Sequence, residues 1–267
     1  MTLAEAQEEF EPAALPLWRE ALVGVEWLSL RASGVFRCIG VPQGDGSGVV
    51  VIPGFLGSDR YLAELHNWLG RLGYRPYMSG IGRNVDCPNV LMGRLLETVG
   101  QAHADTGGRV HLIGHSLGGV LARGAGTIRP DWIASVITMA SPFRGVRAHP
   151  LILQAAAFFR RRVHTRRDRP EAPVECYSGF CQCQAVDALR QPFPASVHQT
   201  AIYTKRDGVV DWNFCVSGDA DTDIEVSGTH VGLVFNPRVY RHIAERLAAA
   251  SPRPRQRRGR ATFRTFG

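Results

Sequence analysis

A serine between glycines is the residue in this sequence that best suits nucleophilic chemistry. Residues 114–118 read Gly-His-Ser-Leu-Gly, which fits the pattern G-x-S-x-G around Ser116. The apolar run VHLI precedes this segment. The Ala- and Gly-rich run GGVLARGAG begins at its last residue, Gly118. Between a buried strand and a helix, such a serine occupies a tight, strained turn at the carboxyl end of a sheet. A serine in a Gly-flanked turn can also cap a helix, but the strand context favours a nucleophile.

A serine hydroxyl is a weak nucleophile until a base takes its proton, and the sequence offers partners in the order Ser, Asp, His. Asp207 lies just after the strand-like run TAIYTK. His230 lies in Gly-Thr-His-Val-Gly, a predicted loop before the last helix. We expect Asp207 to orient the imidazole of His230. His230 would act as the base toward Ser116 and then as the acid toward the leaving group.

Other residues compete for these roles. Asp211 is the rival of Asp207, which is favoured because it lies closer to the end of its strand. His198 and His242 are the rivals of His230. His198 begins a predicted strand and His242 falls inside the last predicted helix, so both are expected to be structural.

Two backbone N–H groups are predicted to stabilise a developing oxyanion. One belongs to Leu117, directly after the nucleophile, and the other to Phe55, in the Pro-Gly-Phe-Leu-Gly loop after the first predicted strand. The positive end of the helix that follows Ser116 adds to this effect. Arg83 and Asn84 follow another predicted strand, where they would brace the loops or touch substrate. This set requires neither a metal nor an organic cofactor.

Cysteine spacing does not favour a metal site. Six cysteines are present, and three of them, Cys176, Cys181 and Cys183, form a C-x4-C-x-C cluster. Zinc sites use paired ligands at C-x2-C spacing and a fourth ligand, and neither is evident. Reduced thiols are expected, with a disulfide inside the cluster left open.

Short apolar runs alternate with amphipathic segments along most of the chain, which is typical of a parallel sheet covered by helices. Six runs are predicted as strands: 48–52, 74–78, 110–114, 132–139, 198–204 and 223–226. The predicted fold class is α/β, a mostly parallel sheet of about six strands flanked by helices. The candidate residues all follow strands, so they meet at the carboxyl edge of this sheet.

Three segments differ from the alternation. Residues 1–32 are predicted as an N-terminal helical segment, and an α/β domain is expected over 33–250. Within that domain, residues of about 143–196 have no clear strand and are predicted as a helical cap. Residues 251–267 hold six arginines and no acid, and are predicted to be a disordered tail.

Composition excludes several classes of protein. With 267 residues, 45% of them apolar, the chain has enough material for a core. No apolar run reaches the roughly 18 residues of a membrane span. The acidic start does not resemble a secretion signal, so a cytoplasmic location is expected, with membrane association left open.

The net charge of the chain is +7, and two arginine-rich runs concentrate the positive charge. The tail 251–267 holds six arginines, and residues 160–169 hold another six. These runs are either solvated or contact an anionic membrane surface. No nucleic-acid motif accompanies them, so nucleic acid is not an expected partner, and the oligomeric state is not predicted.

Several motifs together resemble the α/β-hydrolase superfamily, in particular its bacterial lipase- and esterase-like members. The motifs are Pro53-Gly54-Phe55, Gly114-His115-Ser116-Leu117-Gly118-Gly119, Asp207-Gly208-Val209-Val210-Asp211-Trp212 and Gly228-Thr229-His230. The resemblance covers residues of about 45–250. One departure is that many lipases have His-Gly where this chain has Pro-Gly-Phe.

The resemblance implies an α/β-hydrolase fold with a helical cap and a Ser-His-Asp triad that cleaves carboxylic esters through an acyl-enzyme on Ser116. A small-molecule ester or lipid with a hydrophobic acyl group is the expected substrate. A thioesterase, amidase or acyltransferase would use the same triad. A catalytically silent hydrolase fold that only binds a partner is the alternative from another class, and the intact triad argues against it.

Overall fold

The computed structural model describes residues 10–164 and 181–250. The predicted disordered tail, 251–267, lies outside the described residues, and so do the start of the predicted N-terminal segment and the middle of the predicted cap.

A parallel sheet forms the centre of the described chain. It has six strands, and every neighbouring pair of them is parallel. In sheet order the strands are Arg75–Met78 (β3), Gly48–Ile52 (β2), Val110–His115 (β4), Ile133–Met139 (β5), His198–Tyr203 (β7) and Asp223–Glu225 (β8). The predicted fold class is confirmed, with strand positions close to those expected.

Helices cover both faces of the sheet, which explains why its central strands are apolar on both sides. All residues of β2, β4 and β5 are buried. On one face pack the α-helices Val23–Ala32 (α1), Ala63–Leu72 (α2) and Pro237–Ala250 (α7); on the other pack Pro88–Thr106 (α3) and Leu117–Ile128 (α4). At about 25 cal/mol per Å² of buried apolar surface, these two layers supply the main stabilising term of the fold.

Glycines end two of the helices at the positions the sequence indicates. Gly73, after α2, has φ 103°, and Gly107, after α3, has φ 65°. Residues other than glycine adopt this left-handed backbone conformation only at a cost in free energy. The chain therefore turns sharply back toward the strands β3 and β4.

The cap is mostly helical in its described part, but it begins with a strand that the sequence analysis did not predict. Val146–Ala148 (β6) pairs in parallel with Phe10–Pro12 (β1), a three-residue strand of the N-terminal segment. The cap helices are Pro150–His164 (α5) and Gln184–Arg190 (α6). Strands this short carry no recognisable alternation, which is why the pattern missed them.

The N-terminal segment also differs from the expectation of helices throughout. After β1 it forms a 3₁₀ helix, Leu17–Leu22, and then α1. Several of its apolar residues face outward, since Trp18 is 72% exposed and Val25 is 65% exposed, whereas Leu30 is fully buried in the core. No helix of the described chain has the length and apolar character to cross a membrane.

Candidate active site

The predicted nucleophile lies on a strained turn between β4 and α4. Ser116 has φ 52° and ψ −125°, a conformation that costs a residue other than glycine about 1–3 kcal/mol. A Cβ on Gly114 would collide with the backbone of Gly118 and Gly119, and a Cβ on Gly118 would collide with the carbonyl of Ile52. Close approach of strand, turn and helix at these glycines holds the serine in this conformation.

Asp207 and His230 lie on different loops, after β7 and β8, and their side chains meet. Nδ1 of His230 is 2.7 Å from Oδ2 of Asp207, and both side chains are buried. The other oxygen of Asp207 accepts hydrogen bonds from the N–H groups of Val209 and Val210, at 2.8 Å each. A carboxylate only accepts, so Nδ1 of His230 carries the proton and Nε2 is left as the basic nitrogen.

The electrostatics of the pair favour a protonated imidazole. Burial alone would lower the pKa of His230, but the carboxylate of Asp207, its hydrogen bond and the carboxylate of Glu20 raise it above its ordinary value. The site therefore stabilises the imidazolium that forms when His230 accepts a proton.

His115 connects the serine turn to the His230 loop. Its Nε2 lies 2.9 Å from the carbonyl oxygen of His230, and the two rings are 4.9 Å apart. Since a carbonyl only accepts, His115 donates. Burial, and then the neighbouring imidazole, lower the pKa of His115 to about 3. The residue next to Ser116 is thus a neutral donor that fixes the backbone of His230.

The predicted oxyanion donors border the serine. A Cβ on Gly54 would lie 3.0 Å from the Cβ of Ser116, so the loop 53–57 passes directly over the turn. Within the described residues, the N–H groups of Phe55 and Leu117 donate to no other group. Both are available to a substrate oxygen.

Asn84 braces this loop from behind. Its Nδ2 donates to the carbonyl of Pro53 at 2.8 Å. Its backbone N–H donates to the carbonyl of Gly57, and its carbonyl accepts from the N–H of Leu56. Of the two roles that the sequence left open for Asn84, these contacts correspond to bracing.

An apolar cavity of about 490 Å³ lies at Ser116. Most of its walls are aliphatic and aromatic, and the cap helices form one side. Its apolar lining includes Phe55, Leu117, Val120, Leu121, Phe143, Val146, Ile152, Leu153, Val186 and Leu189. The ring of Phe55 also meets that of Phe159 on α5 at 6.1 Å, so the cap touches the loop that carries the Phe55 N–H. The cavity suits an apolar group attached to a bond that reaches the serine.

The alternative candidates for the acid and the base lie away from the Asp207–His230 pair or make other contacts. Asp211 accepts a hydrogen bond from the N–H of Asn213 and pairs with Arg147 at 3.5 Å. His198 is exposed at the start of β7, and His242 pairs with Glu245 on α7.

Metal binding finds no support in the described part of the chain, where no group of three or more His, Cys, Asp or Glu side chains is arranged to hold an ion. Cys181 and Cys183 are free thiols there, and Cys176 lies outside the described residues.

Two acids that the sequence analysis did not single out also reach the site. Glu20 and Glu26 extend from the N-terminal segment and accept hydrogen bonds from the loops of Asp207 and His230. No local motif marks them, because their contacts join residues about 190 to 210 positions apart. The available signal is the glycines at 208, 228 and 232, which leave space for these carboxylates.

Comparison with known proteins adds two partial sequence relatives. No protein-family model matches the chain. A triacylglycerol lipase of Pseudarthrobacter phenanthrenivorans is 33% identical over 106 residues, which is 36% of this chain and 33% of the lipase. A triacylglycerol lipase of Burkholderia plantarii is 33% identical over 106 residues, 36% of this chain and 30% of that enzyme. The chain matches about a third of the length of these relatives.

Solved structures match over most of the chain. A monoacylglycerol lipase of Paleococcus ferrophilus superimposes with a TM-score of 0.55 and 17% identity over 79% of this chain and 97% of that one. The Bacillus licheniformis lipase BlEst2 gives a TM-score of 0.51 and 12% identity over 80% and 96% of the two chains. The chain has the α/β-hydrolase fold. At these identities the likeness concerns the fold of the hydrolases, and the chemistry of this chain has to be argued from its own site.

Proposed function

We propose that this chain is a serine hydrolase that cleaves carboxylic ester bonds through an acyl-enzyme on Ser116. The observation that carries the proposal is the buried Asp207–His230 pair, 2.7 Å between its polar atoms, held beside the strained serine turn by His115. A serine that only capped a helix would not need a proton acceptor fixed in one tautomer.

In the proposed reaction, Nε2 of His230 takes the proton of Ser116 as its Oγ attacks the ester carbonyl. The N–H groups of Phe55 and Leu117 stabilise the oxyanion of the tetrahedral intermediate. His230 then protonates the leaving alcohol, which leaves an acyl group on Ser116. Water enters, His230 removes its proton, and collapse of the second intermediate releases the acid and restores the serine.

An acyl group with an apolar chain is the substrate that best fits the cavity at Ser116. Its lining side chains are mostly aliphatic and aromatic, so each buried methylene contributes about 0.8 kcal/mol to binding. The partial relatives are named triacylglycerol lipases, which agrees with a fatty-acid ester. Thioesters and amides react with the same triad, so they are the competing substrates.

The cap helix α5, which forms part of the cavity wall, carries side chains that suit an anionic lipid surface. Leu151 and Phe158 of the cap helix α5 are more than half exposed, and three arginines, 160–162, follow them on the same helix. Apolar side chains next to arginines bind the boundary between headgroups and acyl chains. We therefore propose contact with anionic membranes through the cap, tested by cosedimentation with vesicles with and without phosphatidylserine.

The activity is tested with a series of p-nitrophenyl esters from short to long acyl chains. Wild type should hydrolyse them with an optimum at a long chain, and Ser116→Ala should reduce kcat by about 10⁴ or more. Ser29→Ala, which alters an exposed serine of α1, is the matched control and should behave as wild type.

A fluorophosphonate probe supplies a second readout, because it labels an activated serine without any ester. Labelling in wild type and Ser29→Ala, but not in Ser116→Ala, is expected. Hydrolysis of thioesters but not of oxygen esters would replace the proposed substrate class. Absence of both hydrolysis and labelling would contradict the proposed function.

A further inference from the structure

The N-terminal segment directs two acids, Glu20 and Glu26, at the site, while Trp18, Val25 and Leu28 of the same segment are exposed to solvent. Glu20 makes the closest approach. One of its oxygens accepts hydrogen bonds from the N–H groups of His230, at 3.0 Å, and Gly208, at 3.1 Å. The other accepts from the N–H of Val231 at 2.8 Å. A single carboxylate therefore joins the residue after Asp207 to the residue proposed as the base.

Glu26, two turns further along the segment, forms hydrogen bonds with the same loop, the one that carries His230. Its oxygens accept from the N–H and the hydroxyl of Thr229 at 2.9 and 2.7 Å. The Thr229 hydroxyl oxygen in turn accepts from the N–H of Gly232 at 3.0 Å. The loop around His230 is thus held on both sides of the histidine.

Glycines in the two loops complement these acids. A Cβ on Gly208 would lie 2.8 Å from the carbonyl oxygen of Pro16 and 3.0 Å from Glu20. A Cβ on Gly232 would collide with the carboxylate of Glu26. Since both glycines have ordinary backbone angles in this structure, close packing by the N-terminal segment is the physical reason for a residue without a side chain there.

Glu20 and Glu26 contact the site as acids without a basic partner among the described residues, where no basic side chain forms an ion pair with either of them. The groups that face His230 are the carboxylates of Asp207 and Glu20 and the neutral ring of His115. The hydroxyl of Tyr61 donates to the carbonyl of the next residue, Val231, at 3.1 Å. Glu20 thus acts on the imidazole by position and by charge together.

We infer that Glu20 is a positioning residue of the site, which sets the placement of His230 relative to Asp207 through three backbone hydrogen bonds. This inference rests on the proposed function. On this inference, residues 16–26 contribute to the active site of the hydrolase, although they precede the first strand of the central sheet in the chain.

The test is the variant Glu20→Gln, with kcat/KM measured against pH. Glutamine has the same shape but one acceptor oxygen and no charge, so it loses at least one of the three hydrogen bonds. We expect kcat/KM to fall by about 10- to 100-fold, mainly through kcat, because misplacement of a reacting group by about 1 Å can cost about 100-fold. We also expect the acidic limb of the profile to move to lower pH, since removal of a negative charge lowers the pKa of the base.

Two variants serve as controls. Glu11→Gln removes a carboxylate of the same segment that pairs with Arg147 at 3.7 Å with both side chains about half exposed, and it should leave the rate and the profile unchanged. Glu26→Gln weakens the same loop without altering the charge that acts on His230, so it should lower the rate and leave the limb in place. Thermal unfolding of each variant checks that it is folded.

A readout without substrate separates this inference from the proposed function. In protein with labelled histidine, the NMR titration of His230 should show a lower pKa in Glu20→Gln than in Glu11→Gln. An active wild type whose rate and limb are the same in Glu20→Gln would refute the inference and leave the function standing. A wild type that hydrolyses nothing would refute the function, while the titration would still decide whether Glu20 acts on His230.

Discussion

Replacement of Asp207 by Asn tests whether the buried pair works as a unit. One oxygen of Asp207 accepts from the N–H groups of Val209 and Val210, and the other accepts from Nδ1 of His230. Asparagine fits the same space, and its carbonyl keeps the two backbone hydrogen bonds, so its NH₂ group faces the imidazole. Nδ1 must then accept, and the ring proton moves to Nε2, the nitrogen that has to take the proton of Ser116.

The expected loss in kcat is about 10⁴, the size of the effect when a triad histidine is held in the wrong tautomer. This corresponds to about 5.5 kcal/mol of transition-state stabilisation. Stability should change far less, because the two hydrogen bonds from the backbone remain and the third, to Nδ1, only reverses its direction. The assay is hydrolysis of the preferred p-nitrophenyl ester, with thermal unfolding of the same preparation.

Asp211→Asn is the matched control, because it alters the neighbouring acid that caps a 3₁₀ turn and pairs with Arg147. Its kcat should stay within about twofold of wild type, since a partly exposed ion pair contributes at most about 1 kcal/mol and lies outside the reaction. A folded Asp207→Asn protein that kept about a tenth or more of wild-type kcat would refute the reasoning about the tautomer.

Three further predictions concern stability and the loop over the serine. Burial lowers the pKa of His111 to about 4 and that of His115 to about 3. The unfolded chain takes up protons on these histidines below about pH 6.5, so the free energy of unfolding should fall between pH 7 and 4.5, by about 2.5 kcal/mol per histidine. Urea unfolding at both pH values checks this, and His111→Phe should reduce the fall. Gly118→Ala should cost about 3 kcal/mol, because its Cβ would collide with the backbone carbonyls that end β2; an unchanged urea midpoint would contradict this. Asn84→Ala, which loses the hydrogen bond to the carbonyl of Pro53, should cost about 1–3 kcal/mol and lower kcat more than it raises KM.

Local sequence was enough to predict the centre of the fold. The strands β2, β4 and β5 are short, largely apolar runs, and β2 and β5 are rich in β-branched residues, which suits strands that are buried on both faces. The order of Ser116, Asp207 and His230 along the chain was enough to choose candidates, because each follows a strand and the strands are parallel.

Long-range contacts could not be predicted in this way. The pairing of β1 with β6 involves three residues on each side, too few for a periodic pattern. Glu20 and Glu26 sit among apolar residues that recur at helical spacing, and that spacing says nothing about what the acids contact. The structure turns both acids inward, because the backbone N–H groups of the His230 loop offer them hydrogen bonds that apolar side chains could not make.

The different positions of the three proposed residues in the sheet explain why the site needs the N-terminal segment. Ser116 follows β4, which has β2 on one side and β5 on the other, so the sheet itself fixes the nucleophile. His230 follows β8, a three-residue strand that pairs with β7 alone among the described strands and so forms an edge of the described sheet. An edge strand this short does little to fix the position of the loop that follows it. A base displaced by about 1 Å would lose much of its contribution to the reaction rate.

Side-chain hydrogen bonds from outside the sheet supply what the edge lacks. His115 holds the carbonyl of His230, Glu20 holds its N–H, and Tyr61 and Glu26 hold the residues on either side. Because Glu20 also binds the residue after Asp207, the acid and the base are tied to one carboxylate rather than to two independent loops. The catalytic geometry requires that both the nucleophile and the base are fixed in position. The central strands fix the nucleophile, and the N-terminal segment fixes the base. Only the nucleophile can be recognised from a local sequence motif.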